Sequence, residues 1–247
     1  MTGSAKTADW RGCARRLSEA LHLSVPPIYL AFSDEPAPSL EPFAGSLGEP
    51  AAGGRTGSVA ASCVFWVKAA EQPAFSTVAE DHGNCSVGRL THGFATLEEV
   101  AGNDDVGALL SSGWVTEEMV GQIPAVTDRP GSIGYGRLED VPDEVRPDVV
   151  LLRVNARQMM VLSDAIPAMS IQGKPQCHIV ALARDRGEAA ASVGCALSRA
   201  RTGMRPDEMT CALPGGELAS LVEAVETAAR VDSEIGRYAA ADARRFS

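Results

Sequence analysis

The run Val149-Val150-Leu151-Leu152, followed at once by a helix-spaced apolar set, constrains the fold more than any other feature of the chain. Four consecutive apolar residues leave no polar face, so a strand built from them must be covered on both sides. Asn155 then stands where a helix needs an N-cap, and Met159, Leu162 and Ile166 recur at i, i+3 and i+7 before Pro167. The same alternation of short strands with amphipathic helices is repeated along the chain. Trp10, Cys13, Ala14, Leu17, Ala20 and Leu21 predict a helix over residues 8–23, and Ile28 to Phe32 a buried strand behind Pro26-Pro27. The expectation is an α/β or α+β domain with a mixed sheet and flanking helices.

Further elements follow from the same reasoning. Ser58 can cap a helix reaching Glu71, with Val59, Cys63, Trp66, Val67 and Ala70 on one face. Phe75 to Ala79, Ser132 to Leu138 and Met209 to Leu213 predict strands, and helical pieces are expected at Leu97 to Val100, Thr116 to Ile123 and Ala196 to Thr202. A further helix begins near Cys85. Ile179 to Ala183 is a short apolar run, and Leu218 to Ala229 reads as the closing helix. Residues 35–57, rich in Pro, Gly, Ala and Ser, predict a long flexible surface loop, and the tail after Arg237 is expected to fray. The 247 residues fit a single domain spanning 1–247.

Lys+Arg 22 against Asp+Glu 32 leaves a formal charge of -10, the wrong sign for a general binder of phosphate backbones, so nucleic acid is not an expected partner. No apolar stretch approaches the roughly 18 to 20 residues that a membrane span requires, so no membrane association is expected either. Arg11, Arg15, Arg16 and Glu19 stand where a signal peptide would need an apolar core. A cytoplasmic location is expected, and there six cysteines read as thiols or metal ligands rather than disulfides.

Phosphate-binding loops, zinc-protease helices, nucleophile elbows and dinucleotide fingerprints are all missing from the sequence. The cysteines remain. Cys63 and Cys85 are 22 positions apart and Cys177 and Cys195 are 18 apart, which fits neither a zinc ribbon nor a ferredoxin run. By itself a buried cysteine is a small hydrophobe. Two contexts argue for more: Cys85 lies in Asp81-His82-Gly83-Asn84-Cys85-Ser86-Val87-Gly88, and Cys195 follows Gly194, where glycine lets backbone approach a bulky group.

Ser62-Cys63 on a helix, Glu80-Asp81-His82 leading to Cys85-Ser86-Val87-Gly88, Val193-Gly194-Cys195 with Arg199, and Asp207-Glu208-Met209 together resemble the uncharacterised archaeal cysteine-rich family. The resemblance runs from about Ile28 to Val225 and covers a domain of unknown function. It implies recurring cysteines at Cys63, Cys85, Cys177 and Cys195, with no counterpart for Cys13 or Cys211. Where a second cysteine often follows the one matching Cys195, this chain has Leu197 and Ser198.

Converging thiolates need a cation, and soft sulfur selects zinc or an iron-sulfur cluster. Dispersed, glycine-flanked cysteines favour a [4Fe-4S] cluster over zinc, held by Cys63, Cys85 and Cys195 with Cys177 as fourth ligand or acid-base thiol. The expected function is Lewis-acid chemistry, of a lyase or transferase kind, on a small anionic or sulfur-containing substrate. The alternatives are a zinc-binding structural or sensory module and a metal-free enzyme with Cys85 as nucleophile and His82 as base. His82 and His178 are candidate proton-transfer groups. His178 adjoins Cys177, and in a strand the two would face opposite ways. His92 is a weaker candidate, and His22 reads as a helix C-terminal residue. Arg157, Lys174, Arg199 and Arg201 are candidate anion binders. Homo-oligomerisation is left open.

Overall fold

A computed structural model of the chain describes residues 9–44 and 61–246. Eight strands form one sheet: β1 (Ile28–Ser33), β2 (Glu41–Pro42), β3 (Phe75–Thr77), β4 (Ser132–Arg137), β5 (Val149–Asn155), β6 (Ser170–Gln172), β7 (Ala190–Ser192) and β8 (Glu208–Pro214). Their order is β2-β3-β4-β1-β5-β8-β7-β6. The two edge pairs, β2 with β3 and β6 with β7, are parallel, and every pairing between them is antiparallel. This is the mixed sheet expected, with α+β character because the centre of the sheet is antiparallel.

Helices cover both faces, which is why the central strands are apolar on both. One layer consists of α1 (Trp10–Leu21), α7 (Ala156–Ala165) and α10 (Leu218–Ala243). Leu17, Leu21, Leu162, Val222 and Val225 pack there on Tyr29, Val150, Leu152, Val154, Cys211 and Leu213. The opposite layer is built on α2 (Ser62–Glu71) and α8 (Ile179–Arg186), whose Phe65, Trp66, Ile179 and Leu182 meet Leu30, Ile133, Tyr135, Val149, Leu151 and Ala212. Alternate residues of β5 thus point to opposite cores, as the pleat requires. Four short helices, α3 (Ser86–Thr91), α4 (Leu97–Ala101), α5 (Asp104–Ser111) and α6 (Glu117–Gly121), lie between β3 and β4 in the chain, and α9 (Ala196–Thr202) links β7 to β8.

The Asn155 cap is formed as the sequence predicts. Asn155 Oδ1 accepts from Gln158 N at 2.9 Å, and Gln158 Oε1 accepts from Asn155 N at 2.8 Å. Gln158 Nε2 also donates to the carbonyls of Leu21 and His22, so the capping box fastens α7 to the end of α1. His22, in the left-handed region with φ 51°, is the C-cap of α1. Asn155→Ala is expected to cost about 1 kcal/mol and lower Tm by roughly 2 to 4 °C, measured by thermal unfolding.

Several expectations are corrected. The apolar run Ile179 to Ala183, which its length leaves unassigned between strand and helix, is the start of α8, with all five residues buried. The closing helix continues through the expected frayed tail to Ala243, carried by strong helix formers such as Ala239, Ala240 and Ala241. The sequence reading missed α5, which buries only Val106, and the three-residue edge strand β6. Of the loop expected over 35–57, residues 41–42 form β2 and residues 45–57 lie outside the described residues, as does the expected cap Ser58. Among the described residues no helix is long and apolar enough to cross a membrane.

Candidate functional site

Cys63, Cys85, Cys177 and Cys195 line one cavity. They arrive from four separate segments, each at the start of a helical element. Cys63 is the second residue of α2, Cys85 the N-cap of α3, and Cys195 the N-cap of α9; Cys177 lies in the single turn Gln176–His178 that leads into α8. Where the N–H groups of a helix start reach a cysteine sulfur they favour the thiolate over the thiol. One such bond is formed: Ser198 N donates to Cys195 Sγ at 3.3 Å. Cys13 and Cys211 belong to the other core, across the sheet, which fits their structural reading.

Burial works against ionisation at the two inner thiols. Cys63 is pushed up to about 12 by burial and by the negative field of Cys85 and Cys195, with Arg201 pulling the other way. Burial likewise holds Cys177 well above the ordinary thiol range, reinforced by Cys85. Arg201 supplies the offsetting cation. Burial acts to lower its guanidinium, but the field of Cys85, a hydrogen bond to that sulfur, and the fields of Cys63 and Cys195 together leave it raised. Arg201 is exposed at the cavity's rim beside Leu197.

The other basic candidates have different roles. Arg199 donates to the carbonyls of Val193 (2.5 Å), Glu208 (3.1 Å) and Arg205 (2.6 Å), so its donors tie α9 to the start of β8 rather than to a substrate. Arg157 pairs with Asp232 at 2.6 Å between α7 and α10, on the layer opposite the cavity. Lys174 sits over the ring of Trp114, 4.5 Å from its centroid, and Trp114 lines the cavity.

The glycines beside the cysteines serve packing. A Cβ on Gly88 would meet Ser62 Oγ at 2.9 Å, and one on Gly194, at φ +85°, would meet Arg199 Cγ at 3.0 Å and Gln176 Oε1 at 3.1 Å. They let α3 approach α2 and let the chain turn into α9.

His82 is fully buried and does not touch Cys85 through a hydrogen bond. Its Nδ1 lies 2.7 Å from Ser62 Oγ and its Nε2 2.9 Å from Thr77 Oγ1, within a cage that includes Phe65 and Phe94. In the neutral ring one nitrogen donates and the other accepts, and the two hydroxyls, Ser62 and Thr77, serve both. The Cys85–His82 thiol-base pair is therefore replaced by a Ser62–His82–Thr77 chain whose cavity end is Ser62. Ser62 had no signal in the sequence beyond its place next to Cys63.

His178 is buried next to Cys177, yet it is not among the cavity-lining residues. Burial pushes it down to about 4, and neither ring nitrogen finds a partner among the described residues. Gln176 is a further site residue that the sequence reading missed. Its Nε2 donates to Thr210 Oγ1 at 2.8 Å and its Oε1 accepts from Ser198 Oγ at 2.6 Å, which fixes the cavity's inner wall. No three or more His, Cys, Asp or Glu side chains among the described residues are grouped so as to hold a metal ion as they stand.

No curated protein and no solved structure matches the chain significantly. A family does match, over residues 16–224, a span that includes all four cavity cysteines and the Arg199 clamp. The chain belongs to the family described as uncharacterised ArCR, the cysteine-rich family whose motifs the cavity brings together.

Proposed function

We propose that this chain is a cytoplasmic iron-sulfur protein whose [4Fe-4S] cluster is held by Cys63, Cys85 and Cys195, with Cys177 beside it, and that it acts on a small anionic molecule. One observation carries the reading: four thiols from four distant segments line a single cavity with an arginine at its rim. The donor set suits the group, since soft sulfur ligands select clusters and zinc, and Arg201 offsets their charge. A single zinc ion would draw sulfurs to about 2.3 Å, whereas a cluster offers its corners in several directions and takes ligands that stand farther apart. The arrival of the four thiols from four separate segments accords with the second arrangement. Six unpaired cysteines accord with a reducing compartment.

When bound by three cysteines, such a cluster supplies an iron with an open position that polarises a substrate oxygen or sulfur. The protein's own groups bind and position. Arg201 offers the rim a permanent positive charge for an anion. Ser62 lines the cavity and its hydroxyl is hydrogen-bonded to His82, so a proton can pass between cavity and histidine by that hydroxyl. The free space between the thiols is small, about 40 Å³, and its outer side is closed by Leu197 and Arg201. Both are exposed, so they can move outward with little loss of packing.

Purification without oxygen, followed by absorption spectroscopy and iron and acid-labile sulfide analysis, tests this. The expected result is brown protein with roughly four iron and four sulfide per chain that bleaches in air. Colourless protein without iron after reconstitution overturns it, and one zinc per chain supports the structural or sensory alternative.

A further inference from the structure

A second cavity, about 250 Å³, adjoins the first, and the two share Cys63 and Gln176 as lining residues. Its long wall is one face of α2: Cys63, Trp66, Val67 and Ala70, spaced i, i+3, i+4 and i+7. The sequence marks this face as apolar; Cys63 and Trp66 also belong to the core, while Val67 and Ala70 are half-buried along the cavity. Opposite lie Ile28 of β1 and Leu151 of β5. Cys63 and Ala70 are seven residues apart, so the wall is about 10 Å long.

Charge gives the chamber a direction. Arg153 lines it from β5, directly opposite Thr210 of β8, and Thr210 accepts from Gln176 in the wall shared with the thiols. Glu208 engages Arg153 Nε at 3.0 Å and Nη2 at 2.8 Å, and the Gly203 carbonyl also takes Nη2. Nη1 has no partner among the described residues. At the far end, beyond Ala70, stands Glu71, paired with Lys68 at 3.0 Å. Both charges are paired, but Arg153 keeps Nη1 for a further acceptor, whereas the Glu71 carboxylate offers an anion no donor.

We infer that this chamber binds a small apolar carboxylate, with its carboxylate on Arg153 next to the shared wall and its apolar body along Trp66, Val67 and Ala70. Its assignment as the seat of the substrate rests on the iron-sulfur reading of the neighbouring cavity. The volume lies just below the range of drug-sized sites, so the ligand is of metabolite size. Apolar walls supply affinity and the single cation supplies orientation.

Fluorine NMR titration of the full chain with para-fluorophenylpropionate and with its uncharged amide tests the inference. Wild-type protein is expected to bind the acid in the millimolar range or tighter. Ala70→Leu and Val67→Phe, which fill the chamber from α2, are each expected to weaken both probes at least about tenfold. Arg153→Gln is expected to weaken the acid about tenfold and leave the amide unchanged. Thermal melts establish that each variant is folded, and either filling variant suffices if the other is not. Failure of both probes to bind, or binding indifferent to all three substitutions, overturns the chamber. Iron content measured on the same samples separates the two ideas. Iron without probe binding removes the chamber alone, and probe binding without iron removes the cluster and leaves the chamber as a carboxylate site.

Discussion

Alanine at Cys63, Cys85 or Cys195 is expected to remove most iron and sulfide from protein purified without oxygen, while Cys13→Ala and Cys211→Ala retain both. The sheet is the reason. Cys13 and Cys211 are packed with Leu17, Leu213 and Val222 in the layer of α1 and α10, where loss of a small buried group lowers stability modestly without reaching the cavity. The other three line the cavity itself. Cys177→Ala is expected to keep iron and alter the spectrum, because Cys177 lies in a single turn beside the other three and burial holds its thiol well above the ordinary range. Iron and sulfide assays on six single variants, with unfolding curves for each, decide the matter. Equal loss in all six would mean general destabilisation and remove the ligand assignment; complete loss in Cys177→Ala would make it a full ligand.

Acidification from pH 7 to about 4.5 is expected to cost the fold several kcal/mol. His92 is fully buried, with its ring donating to the Gly88 carbonyl at 2.9 Å, and burial pushes it down to about 4. Burial also holds His82 well below the ordinary histidine range, and His92 and Arg89 push it the same way. The two rings are 5.9 Å apart. For each, the folded state binds a proton less readily than the unfolded state. The stability they confer is therefore complete above the unfolded value near 6.5 and declines as pH falls through 6.5 toward 4. A shift from about 6.5 to about 4 at His92 corresponds to about 3 kcal/mol over the whole window. Urea unfolding at pH 7 and 4.5 measures the loss, and His92→Gln should flatten the slope between the two pH values. A stability independent of pH across that window would contradict the neutral, buried state of these rings.

Much of the fold was legible because its elements are specified locally. The β5 run, the Asn155 cap, the i, i+3, i+7 pattern of α7 and the Cys85 and Cys195 helix starts each depend on residues a turn or two apart. Where a local signal was weak, elements were missed: α5 buries one residue and β6 is a three-residue edge. Ile179 to Ala183, buried all round, carried no signal that separates helix from strand.

The candidate site divides along the same line. Its four cysteines were named from the sequence through their contexts and a family resemblance, yet spacings of 22 and 18 residues say nothing of distance in space. Only the chain's path through α2, α3, α8 and α9 brings them to one cavity and puts Cys13 and Cys211 behind the sheet. Tertiary structure also chose among the arginines: Arg199 and Arg201 are two residues apart, and the approach of Val193, Arg205 and Glu208 engages the first and leaves the second for the thiols. The sequence alone determined which segments become helix and strand and which side chains could carry sulfur or charge chemistry, because those depend on local periodicity and residue type. Which of those side chains share a cavity, and which are bound instead by neighbouring carbonyls and hydroxyls, was decided by packing between segments far apart in the chain.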